Sequence, residues 1–101
     1  MHKIIHENLN RITALCKRYN VRSLFAFGSV CTDTFGKKSD IDLLVSFSAM
    51  DPADYADNYF DMADEFEKIF QRQIDLITDK SLSNPYFIAS VNQTKTLLYE
   101  Q

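Results

Sequence analysis

The segments Phe27-Gly28-Ser29 and Ser39-Asp40-Ile41-Asp42-Leu43-Leu44-Val45 decide the fold of this chain. The first segment closes a short apolar run that begins at Ser23, and this pattern predicts a strand that ends in a glycine turn. The second segment opens a run of β-branched and large apolar side chains, which predicts another strand from Asp42 to Phe47. A turn and a pair of carboxylates are therefore expected at the ends of two neighbouring strands.

Three carboxylates are candidates for one shared site. Asp40 and Asp42 are two residues apart, so strand alternation places them on one face, with Cα atoms roughly 6.6 Å apart. Asp75 lies in the apolar segment from Ile74 to Thr78, which predicts a third strand. A carboxylate in such a strand is costly to bury without a cation. If the third strand pairs beside the second, the three acids meet.

These residue types suit a metal and phosphate site. Carboxylate oxygens are the ligands that Mg²⁺ prefers, and Mg²⁺ takes its other ligands from waters and substrate phosphates. Paired acids at this spacing can share two such ions. Gly28 lets the backbone approach a phosphate closely, and Ser29 offers a hydroxyl and N–H groups to a nucleoside triphosphate. Each motif taken alone also fits a solvated turn or a helix cap, but their order and strand contexts together favour the site.

The remaining segments predict three helices. Helical spacing of apolar residues predicts the first over residues 3–19. Asp51-Pro52 predicts the start of a second that runs to about Phe70, and Ser83-Asn84-Pro85 the start of a third that runs to about Tyr99. The expected fold is α+β: one domain, residues 1–101, with two layers and a mixed sheet whose helices pack mainly on one face.

Composition limits the function. The chain has 101 residues and a net charge of −3, which disfavours direct nucleic-acid binding through a basic surface. It lacks an apolar run long enough to cross a membrane and the apolar core of a signal peptide. Its two cysteines, Cys16 and Cys31, do not form a disulfide framework. These features predict a reduced, cytoplasmic protein.

The motifs resemble the nucleotidyltransferase superfamily of the DNA polymerase β type. Phe27-Gly28-Ser29 and the segment from Ser39 to Val45 are similar to its Gly-Ser…Asp-x-Asp signature, and Asp75 takes the place of its third catalytic acid. The small size is similar to the minimal nucleotidyltransferases, which occur beside helical HEPN-domain toxins. The C-terminal stretch from Asn84 to Glu100 is similar to the last helix of such proteins.

The resemblance implies an enzyme and an antitoxin. Its catalytic and metal-binding residues would be Asp40, Asp42 and Asp75, which hold two Mg²⁺ ions, and its nucleotide substrate would be ATP. Adenylyl transfer to a tyrosine hydroxyl of a HEPN toxin would silence that toxin. The oligomeric state, including a homo-oligomer, is left open.

One departure from the family pattern concerns the phosphate-binding turn. Many relatives carry Arg shortly after the Gly-Ser pair, whereas Val30 and Asp33 follow it here. Lys38, with Lys37, is expected to supply the positive charge from the far end of the loop, so Lys38 joins Gly28 and Ser29 as a nucleotide-binding candidate.

Two other functions stay open. The chain could neutralise a partner by binding alone, with a catalytically weak site, because Val30 and Asp33 stand where positive charge is expected. It could also transfer a nucleotide to a small molecule, with a partner subunit supplying the missing acceptor domain. The helix from Pro52 to Phe70 also carries an acidic face, read either as a solvated surface or as a docking face for a basic partner. That face consists of Asp54, Asp57, Asp61 and Asp64.

Overall fold

Four strands form one mixed sheet in the computed structural model, which describes all 101 residues. The helices are α1 Lys3–Glu7, α2 Leu9–Arg18, α3 Pro52–Phe70 and α4 Pro85–Thr94. The strands are β1 Val21–Phe27, β2 Ile41–Phe47, β3 Ile74–Thr78 and β4 Thr96–Glu100. The order across the sheet is β3-β2-β1-β4, so β3 and β4 are the edges. β2 and β3 pair in parallel, and β1 pairs antiparallel with both β2 and β4.

One face of the sheet, here called the core face, packs against α1, α2 and α3. Alternate residues of the strands supply its apolar side chains, as period-two patterning requires. The helices contribute Met62 and Phe66 from α3 and Ile12 from α2, and all three are almost completely buried. No buried residue is polar or charged, so burial of apolar side chains is the main stabilising contribution of this core.

The opposite face, here called the site face, is covered only in part. α4 lies on it, where Val91 packs with Phe27 and Leu44 in a small separate cluster. The predicted α+β architecture, with helices mainly on one face of a mixed sheet, is therefore confirmed. No helix has both the length and the apolar character needed to cross a bilayer.

The predicted starts of α3 and α4 agree with the structure. Asp51 stands at the N-cap of α3, although its side chain makes no capping hydrogen bond, and Pro52 begins the helix. α4 follows Asn84, whose Oδ1 accepts hydrogen bonds from the N–H groups of Tyr86 at 2.9 Å and Phe87 at 3.2 Å. That side chain satisfies two of the N–H groups that a helix start leaves without partners.

The single helix predicted over residues 3–19 is wrong in one respect, because Asn8 divides it into α1 and α2. The Asn8 backbone leaves helical geometry at φ −112° and ψ 12°. Its side-chain Nδ2 donates to the carbonyl oxygen of Ile4 at 2.9 Å. Asparagine side chains compete in this way for backbone groups, which explains the break.

The last predicted helix is also too long. α4 ends at Thr94, and the residues from Thr96 to Glu100 form β4 instead of continuing to about Tyr99 as helix. This segment pairs with the free edge of β1, where Leu24 lies opposite Tyr99. Pairing with a distant strand overrides the local pattern, since strand preference depends mainly on the neighbours that a residue meets.

Candidate active site

Strand pairing brings the predicted turn and two of the predicted acids into one row. Asp42 on β2 lies opposite Phe27, the last residue of β1, and it is also the register partner of Asp75 on β3. Register partners in neighbouring strands have side chains on the same face. That face also carries Leu44 and Ile77, which are register partners two residues further along the same strands. Asp42 and Asp75 therefore lie side by side on the site face, with the Gly28 turn next to Asp42.

Gly28 begins a short 3₁₀ turn, Gly28–Cys31, with a backbone φ of +73° that favours glycine. A Cβ atom at this position would overlap Oδ2 of Asp42 and lie 3.4 Å from its Cγ. Glycine is thus required twice, once for the backbone conformation and once for the space that the Asp42 carboxylate occupies.

The carboxylate of Asp42 is electrostatically strained. Burial raises its pKa to about 6, with further contributions from the negative charges of Asp75 and Asp40. Both neighbours therefore lie near enough to Asp42 to disfavour its charged form. The pKa of Tyr59, on α3, is likewise raised by burial and then by the charge of Asp75. Asp40 and Asp75 themselves are exposed.

The loop that leads to Asp40 is held by Arg72. Its Nη1 donates to the carbonyl oxygens of Gly36 at 2.7 Å and Ser39 at 2.8 Å. The guanidinium also lies over the Phe35 ring, 4.3 Å from its centroid. Arg72 directly precedes Gln73, which accepts a hydrogen bond from the N–H of Ile41 at 3.1 Å. The arginine therefore fixes the approach of the loop to β2 and so positions Asp40.

The predicted phosphate-binding residues differ in their surroundings. Ser29 lies in the 3₁₀ turn beside Gly28, and its carbonyl oxygen accepts hydrogen bonds from the N–H and the hydroxyl of Thr32 at 2.9 and 3.0 Å. Val30 is fully buried in the apolar core, so its side chain does not face the site. Lys38 is exposed in the loop and forms no ion pair.

Thr94 is a residue of the site region that sequence reasoning missed. Its Oγ1, at the end of α4, accepts a hydrogen bond from the N–H of Gly28 at 2.8 Å. Upstream on the same helix, the Phe87 ring meets the Phe27 ring edge-on, with centroids 6.1 Å apart. Side chains of α4 therefore contact both the turn, through Thr94, and the end of β1, through Phe87. The two ends of this hydrogen bond are 66 residues apart, and no local pattern links them.

Asp42 and Asp75, here called the acid row, offer the carboxylate oxygens that Mg²⁺ prefers as ligands. No group of three or more His, Cys, Asp or Glu side chains is placed to hold a metal ion by itself. Mg²⁺ is held in proteins through one or two carboxylates, with waters and substrate phosphates as its other ligands, so a complete protein cage is not needed. A dication beside Asp42 would also offset the burial and the neighbouring negative charges that raise its pKa.

Comparison with known protein families finds a match over most of the chain. The model of the family described as Polymerase beta, Nucleotidyltransferase matches residues 10–101. A protein of Methanocaldococcus jannaschii, named "Putative protein adenylyltransferase MJ1379", is 34% identical over 76 residues, covering 75% of each chain. A second protein of that organism, with the same name but numbered MJ0128, is 32% identical over 79 residues, covering 78% of each.

Solved structures share the fold. The crystal structure of a toxin–antitoxin with AMP-PNP matches with a TM-score of 0.71 and 22% identity, covering 93% of this chain and 74% of that one. A Shewanella oneidensis complex of a tri-AMPylated HEPN toxin with an MNT antitoxin matches with a TM-score of 0.65 and 19% identity, covering 95% and 72%. A protein described as a "putative minimal nucleotidyltransferase" matches with a TM-score of 0.66 and 23% identity, covering 95% of both chains.

Proposed function

This chain belongs to the polymerase beta nucleotidyltransferase family, and from that premise we propose that it transfers the adenylyl group of ATP to a tyrosine hydroxyl of a helical HEPN-domain protein. The observation that carries the proposal is the position of Asp42, between the Gly28 turn and the side chain of Asp75. One domain, residues 1–101, would hold the metal and nucleotide site, and a second protein would supply the acceptor.

The nucleotide and the acceptor class are inferred from the relatives. The Methanocaldococcus jannaschii relatives carry the name of protein adenylyltransferases, which supports ATP as the donor and a protein as the acceptor. The Shewanella oneidensis complex joins an MNT antitoxin to an AMPylated HEPN toxin. The same roles in this chain would make it an antitoxin that acts by modifying its partner.

The proposed roles follow from charge and position. Asp40, Asp42 and Asp75 would hold two Mg²⁺ ions, which when bound neutralise triphosphate charge and make the acceptor hydroxyl a better nucleophile. Gly28 and Ser29 would keep the turn close to the phosphates, with Lys38 supplying charge from the loop. The acceptor oxygen would bond to the α-phosphorus as the bond from that phosphorus to the bridging oxygen breaks. Pyrophosphate leaves, and the exposed carboxylate of Asp75 would accept the hydroxyl proton.

Label transfer tests this function. The protein is incubated with Mg²⁺, α-labelled ATP and candidate HEPN-domain proteins, beginning with any encoded beside this chain. We expect label on a partner tyrosine, lost when that tyrosine is replaced by phenylalanine, when EDTA is added, or in Asp40→Asn. Glu7→Gln removes an exposed carboxylate on α1 and should retain transfer. Absence of transfer to every candidate, or transfer that survives Asp40→Asn, would refute the proposal.

A second candidate function is neutralisation of the partner by binding alone. The observation that favours it concerns positive charge near the turn. Val30, which is uncharged, is buried in the core, and the guanidinium of Arg72 is bound to carbonyl oxygens of the loop. Neither residue then offers charge to a triphosphate. This function predicts that the partner stays inhibited in Asp42→Ala and in the absence of ATP, whereas the leading proposal predicts release.

A further inference from the structure

An apolar groove of about 360 Å³ lies between α3 and the free edge of β3. α3 contributes Ala56, Tyr59 and Phe60 to its lining, and β3 contributes Leu76 and Ile77. The Phe60 side chain is 65% exposed, although phenylalanine is among the residues most often buried. A large aromatic side chain beside an apolar groove is typical of a surface that another molecule covers.

An acidic stripe borders this groove. Asp57, Asp61 and Asp64 share the exposed face of α3 with Phe60, since helix neighbours recur at three and four residues. The one ion pair in the structure joins Lys68 to Glu65, so none of these three aspartates has a cationic partner within the chain. The groove is thus apolar inside and negatively charged along the α3 rim.

On β3, the lining of the groove begins at Leu76, the residue after Asp75. Leu76 and Ile77 directly follow Asp75 on β3, and the Tyr59 hydroxyl donates to the carbonyl oxygen of Leu76 at 2.6 Å. That bond ties α3 to the edge strand next to Asp75 and forms the end of the groove nearest the site. A chain segment that fills the groove would therefore end beside Asp75, where the acceptor hydroxyl has to arrive.

We propose that this groove docks a basic, amphipathic segment of the acceptor protein. An apolar side chain of that segment enters between Ala56, Phe60 and Ile77, and its lysines or arginines pair with Asp57, Asp61 and Asp64. The identity of the docked protein as the acceptor rests on the proposed function, whereas the chemistry of the segment follows from the groove and its rim.

Two other occupants fit less well. A second copy of this chain, docked symmetrically through the same face, would place two acidic stripes against each other, and like charges across an interface are costly. A nucleic acid would bring phosphates to a rim of carboxylates on a chain whose net charge is −3. A basic protein segment is the occupant that satisfies both the apolar lining and the charge.

Peptide binding tests the surface without catalysis. The probe is a fluorescent helical peptide of about 18 residues, with leucines on one face and lysines on the other, long enough to form a helix on binding. Two matched peptides carry glutamate in place of lysine, or the same residues in an order with no apolar face. Anisotropy is measured without ATP or Mg²⁺, so the result does not depend on adenylyl transfer.

The variants separate the stripe, the groove and net charge. Asp57→Lys plus Asp61→Lys reverses the stripe. Glu7→Lys plus Glu100→Lys makes the same change in net charge at exposed positions outside α3 and β3. Phe60→Ser removes the aromatic wall while leaving the stripe. Circular dichroism confirms that each variant is folded before its affinity is compared.

We expect the stripe pair and Phe60→Ser each to weaken binding of the lysine–leucine peptide about tenfold or more, and the control pair to change it less than about threefold. Equal loss in the control pair, equal binding of either matched peptide, or full binding by Phe60→Ser overturns the inference. Self-association that sedimentation detects and Phe60→Ser abolishes would reassign the groove to a second copy. If the peptide binds as expected but no candidate HEPN-domain protein is adenylylated, only the proposed function is refuted. If a candidate is adenylylated but the peptide does not bind, only this inference is refuted.

Discussion

The two faces of the sheet differ in what each of them buries. The buried side chains of the core face are all apolar, and strand β2 supplies Ile41 and Leu43 to it. The site face carries Asp42 from the same strand, with its charge opposed by burial and by Asp75. Neighbouring residues of β2 therefore stabilise the fold on the core face and place negative charges close together on the site face. Substitutions on the two faces should have separable effects on stability and on activity.

The largest expected effect is on activity, from Asp42→Asn. We expect adenylyl transfer to fall about a thousandfold or more, which corresponds to roughly 4 kcal/mol of lost transition-state stabilisation. The fold should remain intact, because the side chain keeps its shape. Steady-state transfer rates and circular dichroism measure the two properties. Asp79→Asn, an exposed acid just after β3, is the matched control and should retain activity. Equal loss in the control would show that the acid row has no special role.

The converse effect is expected on the core face. Met62→Ala should lower the free energy of unfolding by about 3 kcal/mol, because it leaves a cavity under a completely buried side chain. Urea unfolding monitored by circular dichroism measures this loss. Activity per folded molecule, measured at a temperature where the variant is folded, should stay near that of the unchanged protein. A specific loss of activity in folded Met62→Ala would contradict the separation of the two faces.

The sequence predicts most of this division between an apolar core face and an acidic site face. Strand alternation assigns Ile41 and Leu43 to one face and Asp42 to the other before any coordinates are known. The approach of Asp75 to Asp42 depends on a condition that the sequence leaves open, the pairing of β3 beside β2, and the structure meets it. Strand alternation is predictable because it is encoded within a few neighbouring residues.

The features that sequence reasoning missed are contacts between distant segments. The local pattern predicts a helix over most of β4, and only pairing with the free edge of β1 makes these residues a strand. Thr94 binds the N–H of Gly28 across 66 residues. Arg72 holds the loop before Asp40 through carbonyl oxygens that lie 36 and 33 residues before it in the chain. Side-chain partners of this kind follow from the assembled fold and not from periodicity.

Gly28→Ala tests the junction between the two motifs. The added methyl group would overlap the Asp42 carboxylate at a backbone φ that disfavours alanine. We expect a loss of about 1–3 kcal/mol in stability, together with a loss of transfer. Urea unfolding measures the first and label transfer the second. Gly28→Ala should cost less stability when it is added to Asp42→Gly than when it is added to the unchanged protein, and the difference is the part of the loss that the overlap causes. An equal cost in both cases would assign the whole loss to the backbone.

The raised pKa of Asp42 on the site face predicts that the stability of the protein depends on pH. The pKa of Asp42 is about 6 in the folded protein, above its ordinary 3.8. Between these pH values the folded state therefore binds more protons than the unfolded state does. Without a metal ion, stability should therefore fall as the pH rises from about 4 to about 6. Asp42→Asn should be more stable than the unchanged protein at pH 8 by on the order of 1–2 kcal/mol, less than the full shift represents, because solvent screens a half-exposed carboxylate.

Thermal unfolding in EDTA at pH 4 and pH 8 measures this difference. The gain from Asp42→Asn should be small at pH 4, where the carboxylate of the folded protein is already protonated. Mg²⁺ should narrow the gap at pH 8, since a dication beside the carboxylate favours its charged form. A gain of the same size at both pH values would show that charge is not its cause.

The smallest effect is expected at Thr94, where α4 meets the Gly28 turn. Thr94→Val keeps the shape of the side chain but leaves the half-buried N–H of Gly28 without its acceptor, which should cost about 1 kcal/mol of stability. Hydrogen exchange at the Gly28 amide should accelerate, and Thr94→Ser should restore its protection. Because the turn is proposed to contact the triphosphate, the Michaelis constant for ATP should rise more than kcat falls. A uniform fall in kcat, with the Gly28 amide still protected, would place Thr94 among the residues that only support the fold of the site face.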